Sequence, residues 1–531
     1  MNRRVAALRS MALVSASTYV EYALGLFISV WIARALGPAD FGRYAFTVWL
    51  CGWLMTCSNH ALTTSSTKFI AEAYGAGRPD VASHISHRLA RNQVWSCAIV
   101  IALFFLGVTI IQPKEWTGYI LPITALVAIG VVAKANYGLW VAVSKGQEHF
   151  EPVSIATVIS GVIMLALVAL AAWFHAGLIA FIGIFTISCL VLNLINRIAY
   201  RRYCLPFEAG DIPDEMSRRL TRHLRLTAVL VLLLALKLNT VEVFLLNTYS
   251  TSTAVGYFAI AGTLTRGAVE LLSVGLTTTL LPYMARAFGQ SGQSQATRVL
   301  SEATRFYWAT GLMIAGLGFV TTPGLVTLMY GNKYVDAIPA IEVTLVLAGL
   351  LLITNAIAAF QVVTDRQGDR LRISGSALVI NVILGFSLIP HFGLLGAVLC
   401  YSGTRLAELA ICTFYIRRVA SAGLPGALMM RLLVVGLLAT AAGWGVADVT
   451  PGHFAFITGA VMFVAVFVPA SFLVRYWSDE DYRLMGMITD KLGPLRGLCL
   501  IHISEPTSLL RRGGGRGGWT ETRRGGGVGG G

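Results

Sequence analysis

Residues Ser10 to Ala35 read SMALVSASTYVEYALGLFISVWIARA, an apolar run that carries one acidic and one basic side chain. A membrane-spanning α-helix needs about 20 mostly apolar residues. The run is too long for the core of a signal peptide, and no clear small-residue cleavage site follows it. A short basic segment, Met1 to Arg9, precedes it. We therefore predict that this run is the first of several membrane helices.

The rest of the chain repeats this pattern. Hydrophobic residues make up 56% of the 531 residues and charged residues only 13%, whereas a soluble domain carries about 25% charged residues. The sequence therefore predicts an all-α polytopic membrane protein with about fourteen transmembrane helices. The predicted spans are 10–35, 41–61, 93–112, 118–141, 152–174, 176–196, 226–247, 253–278, 304–322, 336–361, 373–390, 394–415, 430–448 and 453–474.

The placement of the basic residues predicts the orientation. The formal net charge is +15, and 28 Lys and Arg fall in the loops on the N-terminal side of the membrane, against 4 in the opposite loops. Excess Lys and Arg marks cytoplasmic loops. We therefore expect both termini in the cytoplasm, and the basic charge does not require nucleic acid as a partner.

Two short motifs recur at nearly one offset. The sequence ADFGRYA at Ala39 to Ala45 corresponds to TAVGYFA at Thr253 to Ala259, 214 residues later. The sequence HAGL at His175 corresponds to HFGL at His391, 216 residues later. This spacing predicts a duplicated chain, in which two pseudo-symmetric six-helix bundles enclose a central site.

The predicted organisation has five parts. Residues 498–531 differ from the rest, because Leu498 to Ser508 resembles a translated sequencing adapter and a Gly- and Arg-rich stretch follows. We expect this tail to be non-native; an RNA-binding tail is the alternative. The predicted parts are an N-terminal six-helix lobe (1–205), a cytoplasmic linker (206–225), a C-terminal six-helix lobe (226–420), helices 13 and 14 with a cytoplasmic end (421–497), and the tail (498–531).

Four local patterns resemble the Wzx-type polysaccharide flippases of the multidrug/oligosaccharidyl-lipid/polysaccharide (MOP) exporter superfamily. The resemblance covers about residues 8 to 495, and the first pattern is the most specific. The patterns are Ala33 to Tyr44 (ARALGPADFGRY), Thr67 to Arg78 (TKFIAEAYGAGR), Val255 to Phe258 (VGYF) and Trp477 to Tyr482 (WSDEDY).

This resemblance implies a transporter of the bacterial inner membrane. Its expected cargo is a polyprenyl-diphosphate-linked oligosaccharide, moved from the cytoplasmic to the periplasmic leaflet by alternating access during surface polysaccharide biosynthesis. Its expected partners are that cargo, membrane lipids, and polysaccharide polymerase or assembly proteins. No cofactor is expected. Export of small organic cations, as by MATE-type transporters, is the alternative.

An enzyme is not expected. The loops on the outer side are all short, so a polymerase or ligase would have no catalytic loop there, and no P-loop is present. The eight cysteines form no CxxC pair and mostly lie in apolar runs. They predict apolar packing and no metal site.

The first two patterns also have local physical interpretations. Gly37 and Pro38 break a helix and predict a tight turn. Asp40 is expected to cap the next helix, and Phe41 and Tyr44 are expected at the membrane interface. The segment Thr67 to Arg78 is predicted to be an amphipathic cytoplasmic helix, with one face formed by Phe69, Ile70, Ala73 and Tyr74.

Charged residues inside the spans are the candidate site. A charge at the bilayer centre costs about 2.5–3.5 kcal/mol on insertion scales, so such residues face a bundle interior or a wet cavity. Nine are present: Glu21, Lys134, Lys237, Glu242, Arg266, Glu270, Glu342, Arg405 and Glu408. We expect Lys237, Arg266, Arg405 and Lys134 to attract the diphosphate, because cations pair strongly with phosphate.

The carboxylates leave two interpretations open. Arg266 and Glu270 are four residues apart, and Arg405 and Glu408 three apart, so both pairs share a helix face and could neutralise each other. Alternatively, Glu21, Glu270 and Glu408 serve ion coupling, since a buried carboxylate can exchange protons near neutral pH.

Overall fold

The computed structural model describes residues 3–59, 61–111, 113, 116, 118–204, 212–237, 240–419, 426–452 and 454–477. None of these residues lies in a β-strand. The predicted tail lies outside the described residues, as does most of the fourth pattern.

Fourteen α-helices and a six-residue 3-10 helix account for most of the described residues. The 3-10 helix, Asn332–Ala337, precedes α10. The α-helices are α1 (Arg3–Asn59), α2 (Leu62–Gly75), α3 (Pro79–Ile111), α4 (Ile120–Gly146), α5 (Glu151–Trp173), α6 (Leu178–Tyr203), α7 (Asp214–Lys237), α8 (Thr240–Tyr249), α9 (Ser252–Met329), α10 (Ile338–Leu350), α11 (Ile353–Val363), α12 (Gln367–Val419), α13 (Gly426–Val449) and α14 (Ala455–Leu473).

Twelve of the fourteen predicted spans each fall in a single α-helix to within about two residues, whereas 226–247 is divided between α7 and α8 and 336–361 between the 3-10 helix, α10 and α11. The all-α fold class is confirmed, and the pseudo-symmetry of the two bundles stays a prediction. Ten helical stretches of the described residues are long and apolar enough to cross a membrane. Three helices are so long that each contains two predicted spans. Their backbones leave helical geometry at Gly37 in α1, at Ser291 and Gly292 in α9, and at Gly393 in α12. The break predicted at Gly37 and Pro38 is therefore present at Gly37.

The amphipathic helix predicted after span 2 is α2. Its buried face includes Phe69, Ile70 and Ala73, and Tyr74 packs against the same cluster. This cluster also holds residues of α3, α4 and α7. Through this cluster, α2 packs against α7, the first helix of the C-terminal half.

The first pattern departs from its local interpretation. Phe41 and Tyr44 are buried in the protein, at 4% and 8% exposure, in a core cluster that includes Tyr334; their depth relative to the membrane interface stays a prediction. Asp40 does not cap a helix, because the helix resumes directly after Gly37 and places Asp40 inside its first turn. Its carboxylate instead pairs with Arg43 at 3.0 Å. The burial of Phe41 and Tyr44 is caused by a tertiary contact with the other half of the chain, whereas the pairing of Asp40 with Arg43 is local.

The two copies of the first repeated motif, at Ala39 to Ala45 and at Thr253 to Ala259, contact each other next to this cluster. An added Cβ at Gly42 would overlap the carbonyl oxygen of Ser252, and one at Gly256 would lie 2.6 Å from the oxygen of Pro38. Only glycine allows two helix backbones to approach so closely. We call this contact between Gly42 and Gly256 the glycine crossing. It joins the two halves on the side opposite the N-terminus, which the charge distribution predicts to be periplasmic.

Hydrogen bonds reinforce the glycine crossing. The Tyr334 hydroxyl donates to the Ala33 carbonyl at 2.7 Å, across 301 residues of sequence. The Arg34 guanidinium donates to the carbonyls of Leu328 and, at 2.6 Å, Met329, which end α9. An arginine at a helix C-terminus satisfies carbonyls that have no partner within the helix. The halves are therefore held together at this side by both packing and polar contacts.

Candidate substrate-binding cavity

Beyond the glycine crossing, α1 and α9 separate and enclose a cavity of about 560 Å³. We call it the central cavity. Its α1 wall includes Ser29, Trp49 and Trp53, and its α9 wall includes Phe258 and Arg266. The same two helices that touch at the crossing thus form opposite walls of a space large enough for a polar headgroup.

Arg266 is the cation best placed to act in this space. It borders the central cavity and two further cavities, one of about 340 Å³ and one of about 990 Å³. Its Nε donates to the Gly262 carbonyl of its own helix at 3.1 Å. Among the residues whose side chains are described, no carboxylate forms an ion pair with it. Its side chain therefore borders all three cavities, and the predicted pairing with Glu270 lies outside the described side chains.

Arg405 has a different environment. Its guanidinium lies 3.2 Å from the Glu408 carboxylate and 5.3 Å from the centre of the Tyr401 ring. All three residues line the cavity of about 340 Å³ inside the C-terminal half, together with Arg266. The i, i+3 pairing considered from the sequence is thus present for Arg405 and Glu408, and it neutralises this arginine at close range.

Lys134 and Glu21 lie in the N-terminal half. The Lys134 ammonium sits 5.5 Å from the centre of the Phe185 ring, a cation–π contact that holds it inside the helix bundle. Glu21 lines the cavity of about 990 Å³ between α1 and α9 and interacts electrostatically with Lys134. Glu21 and Lys134 therefore interact with each other electrostatically.

Lys237 and Glu270 belong to helices α7 and α9, but their side chains lie outside the described residues. Their predicted roles in diphosphate binding and ion coupling stay predictions.

Comparison with known proteins identifies the family. A profile of the polysaccharide biosynthesis protein family matches residues 7–288, more than half of the chain. The chain belongs to this family. The family is one of transporters and flippases in the MOP superfamily, as the four sequence patterns predicted. No curated protein matches the chain in a sequence comparison.

Solved structures show the same fold at low sequence identity. The lipid II flippase MurJ in an inward closed conformation matches with a TM-score of 0.68 and 13% identity, covering 87% of this chain and 98% of MurJ. An inward-facing multidrug resistance MATE family transporter of the MOP superfamily matches with a TM-score of 0.61 and 13% identity, covering 78% and 98%. A MOP superfamily transporter from Pyrococcus furiosus matches with a TM-score of 0.53 and 14% identity, covering 78% and 96%.

An aromatic wall of the central cavity was not predicted from the sequence. Phe46 and Trp49 stack with ring centres 5.4 Å apart, and Trp53 follows at 6.5 Å from Trp49. Both tryptophans line the cavity that Arg266 borders. Their i, i+4 spacing in the sequence was a usable signal, but it is equally typical of a lipid-facing stripe.

A buried polar cluster in the C-terminal half was also missed. Glu242 in α8 is 2% exposed and accepts a hydrogen bond of 2.6 Å from the Asn381 amide of α12. That amide also lies 3.2 Å from the Thr404 hydroxyl, and the Cys400 thiol lies 3.9 Å from the same carboxylate oxygen of Glu242. One carboxylate oxygen of Glu242 and the amide oxygen of Asn381 have no hydrogen-bond partner among the described residues. Glu242 was recognised as a charge within a span, but sequence spacing alone could not bring α8 and α12 together.

Proposed function

We propose that this protein is a flippase that moves a polyprenyl-diphosphate-linked oligosaccharide from the cytoplasmic to the periplasmic leaflet by alternating access. The family and fold support a transporter of this superfamily. The lipid-linked sugar, the direction and the cycle are our proposal. The lipid II flippase among the similar structures supports a lipid-linked cargo.

The observation that carries the proposal is the position of Arg266. A guanidinium that borders the central cavity, with no ion-pair partner among the described side chains, is matched to an anionic cargo, because guanidinium binds phosphate oxygens through two parallel hydrogen bonds. It is mismatched to an organic cation, which it would repel. Arg405, paired with Glu408, contributes less charge. Lys134 and Lys237 remain secondary candidates for the same role.

The aromatic wall supports a glycosylated cargo. Sugar rings present flat faces of C–H groups that pack against aromatic rings, while their hydroxyls need polar neighbours. Trp49 and Trp53 offer such faces, and Ser29, Thr56 and Thr263 line the same cavity. An apolar pocket with a few polar groups is typical of small-molecule sites.

The glycine crossing supports alternating access. It closes one end of the space between the halves, and a cargo released on that side must pass between Gly42 and Gly256. Opening that end would separate the two glycines and break the hydrogen bonds of Tyr334 and Arg34 beside them. Rocking of two repeats around a central site is a known transporter design.

Ion coupling is the least constrained step. We propose that it uses carboxylates within the spans: Glu21, Glu408 and Glu270 from the sequence, and Glu242 from its buried cluster. Glu242 is well suited, because a carboxylate among neutral partners in a membrane binds either a proton or a small cation. We expect the protein in the bacterial inner membrane with both termini cytoplasmic, near polysaccharide polymerase or assembly proteins.

The test is transport by the purified protein in sealed vesicles. A fluorescent polyprenyl-diphosphate oligosaccharide is placed in the membrane, and its exposure to an impermeant quencher is followed in time. We expect protein-dependent movement between the leaflets, which Arg266→Gln slows at least tenfold. Arg286→Gln, an exposed arginine away from the cavities, is the matched control and should leave the rate unchanged.

Two further results separate the alternatives. Movement of a cationic dye without movement of the lipid-linked sugar would favour a MATE-like exporter and refute the proposal. In cells, deletion of the gene should leave lipid-linked repeat units on the cytoplasmic side. Normal surface polysaccharide in the deletion strain would also count against it.

A further inference from the structure

Helix α7 presents two faces of opposite character before it enters the membrane. One face packs on the N-terminal half: Leu220 is fully buried in the cluster that holds Phe69, and the His223 ring contacts Ser65 at 3.0 Å. Arg219 reinforces this face with two hydrogen bonds to Glu72, of 2.8 and 3.3 Å. The first turns of α7 are therefore fixed in place by contacts with α2.

The opposite face carries Arg218, Arg222 and Arg225, all exposed. Their i, i+4, i+7 spacing aligns them on one side of the helix. We call this row the arginine stripe. It lines a cleft of about 460 Å³ together with Ser217, Thr221 and Leu226. Among the described residues, none of the three arginines has an ion-pair partner.

The stripe continues directly into an apolar, exposed surface. Leu226 is 66% exposed and Val229 is 61% exposed, and both fall in the predicted span that starts at residue 226. Exposed side chains of this kind on a membrane helix face acyl chains. Arg225 thus lies at the boundary of the hydrocarbon layer, and Arg222 and Arg218 lie about one and two helical turns outside it.

Helix α3, which contacts α7, indicates the same depth of the arginine stripe in the membrane. Arg88 of α3 donates to Ser217 and Thr221 of α7, at 2.6 and 3.1 Å. Arg88 precedes the predicted span at 93–112 by five residues, which is about 7 Å along a helix. The headgroup layer on each side of a bilayer is about 5–8 Å thick. Two independent helices therefore place Arg225 and Arg222 at the level of the lipid headgroups, with Arg218 at its outer edge.

We propose that the arginine stripe is a binding site for the phosphate headgroups of anionic phospholipids in the leaflet on the N-terminal side. Three guanidinium groups in a row offer paired donors to phosphate oxygens, and Leu226 and Val229 contact the acyl chains of the same lipid. Basic residues directly next to a membrane helix attract anionic lipids, each by about fivefold. Because contacts with α2 hold the first turns of α7 in place, the arginine stripe is a preformed surface.

A lipid is favoured because the arginine stripe is continuous with the exposed apolar surface of Leu226 and Val229. A soluble anion or an acidic protein would need the arginines but would leave Leu226 and Val229 unused. An anionic phospholipid uses both parts of the surface at once. The site also differs from the central cavity, because none of the residues lining its cleft borders that cavity.

The test is native mass spectrometry of the full-length protein in detergent, with equal amounts of phosphatidylglycerol and phosphatidylethanolamine added. We expect wild-type protein to retain phosphatidylglycerol preferentially. The triple variant Arg218→Gln, Arg222→Gln, Arg225→Gln should lose at least tenfold of that preference. The triple Arg→Lys variant at the same positions should keep most of it, which shows that a loss is not caused by misfolding.

A matched control removes the same charge elsewhere. The variant Arg370→Gln, Arg417→Gln, Arg418→Gln changes three exposed arginines of the C-terminal half and should retain the phosphatidylglycerol preference. Equal loss in both triple-Gln variants, or no loss in either, would overturn the proposal. So would loss of polyprenyl-diphosphate binding with unchanged phosphatidylglycerol binding, because the stripe would then be a substrate site.

Discussion

The glycine crossing and the central cavity are built from the same two helices, α1 and α9, yet they have opposite properties. At Gly42 and Gly256 the backbones touch and no side chain fits between them. Around Arg266 the same helices stand far enough apart to leave about 560 Å³. The crossing holds the halves together at one end, and the cavity keeps them apart in the middle. A central site closed at one end while its two halves can rock against each other is what an alternating-access cycle requires.

Filling the glycine crossing should have the largest effect. In Gly42→Val, the new side chain would overlap the Ser252 carbonyl, so the two helices could not approach. We expect the closed end to stay open and transport in vesicles to fall by more than tenfold. Gly107→Val is the control, because a side chain there meets nothing within 4 Å. Full activity of Gly42→Val would show that the crossing is not part of the cycle.

Removing the cavity charge should have the next largest effect. A hydrogen bond to a charged group contributes about 1.5–3 kcal/mol, so Arg266→Gln should weaken binding of a polyprenyl diphosphate on the order of tenfold to a hundredfold. Thermal stability should hardly change, because the Arg266 side chain is exposed. Binding is measured with a labelled lipid in detergent. Unchanged affinity would move the diphosphate site away from the central cavity.

Removing the ion-pair partner of Arg405 should lower the stability of the protein, whereas removing the Arg266 charge should lower cargo binding. Glu408→Gln leaves the Arg405 guanidinium, 23% exposed, without its partner. Breaking a buried ion pair from one side costs about 3–5 kcal/mol, and the partial exposure here reduces the expected loss to about 2 kcal/mol. Thermal unfolding should show a lower Tm for Glu408→Gln and a partial recovery in Arg405→Gln, Glu408→Gln. Equal Tm values would mean that the pair carries no structural role.

Lowering the pH should have the smallest effect, and it should act at the contact between α7 and α2. Burial, together with the nearby Lys68 charge, lowers the pKa of His223 from 6.5. The folded state thus favours the neutral ring, which also contacts Ser65 and Thr227 and Phe69. Its contribution is fully present above about pH 6.5 and is lost as the pH falls through the lower folded pKa.

Hydrogen exchange of α2 amides measures this loss. After correction for intrinsic rates, protection should be lower at about pH 5 than at about pH 7.5. In His223→Gln, which cannot titrate, protection should not depend on pH in this range. An identical pH response in both proteins would assign the effect to another group.

The helical spans could be predicted from the sequence, because a membrane allows few backbone solutions and apolar length is a direct signal. The break at Gly37 and the amphipathic face of α2 followed from local chemistry. The burial of Phe41 and Tyr44 could not be foreseen. Their interface assignment assumed that each half is surrounded by lipid, whereas Tyr334 of the other half covers them.

The site could be predicted only in part. Spacing placed Arg405 beside Glu408, because both lie on one helix face. It could not separate the paired Arg405 from Arg266 at the border of the cavities, since that difference depends on how α9, α10 and α12 pack. The cluster of Glu242 with Asn381 joins residues 139 positions apart, and no local pattern carries that information.

The central claim is that the halves part at the glycine crossing while the cargo sits in the cavity. Spin labels at Ala39 and Lys333, two exposed positions on that side, would measure it directly by double electron–electron resonance. We predict one short distance in the resting protein and a second, longer population when a polyprenyl-diphosphate oligosaccharide is added, absent in Arg266→Gln. A single unchanged distance in protein that is actively transporting would contradict the account.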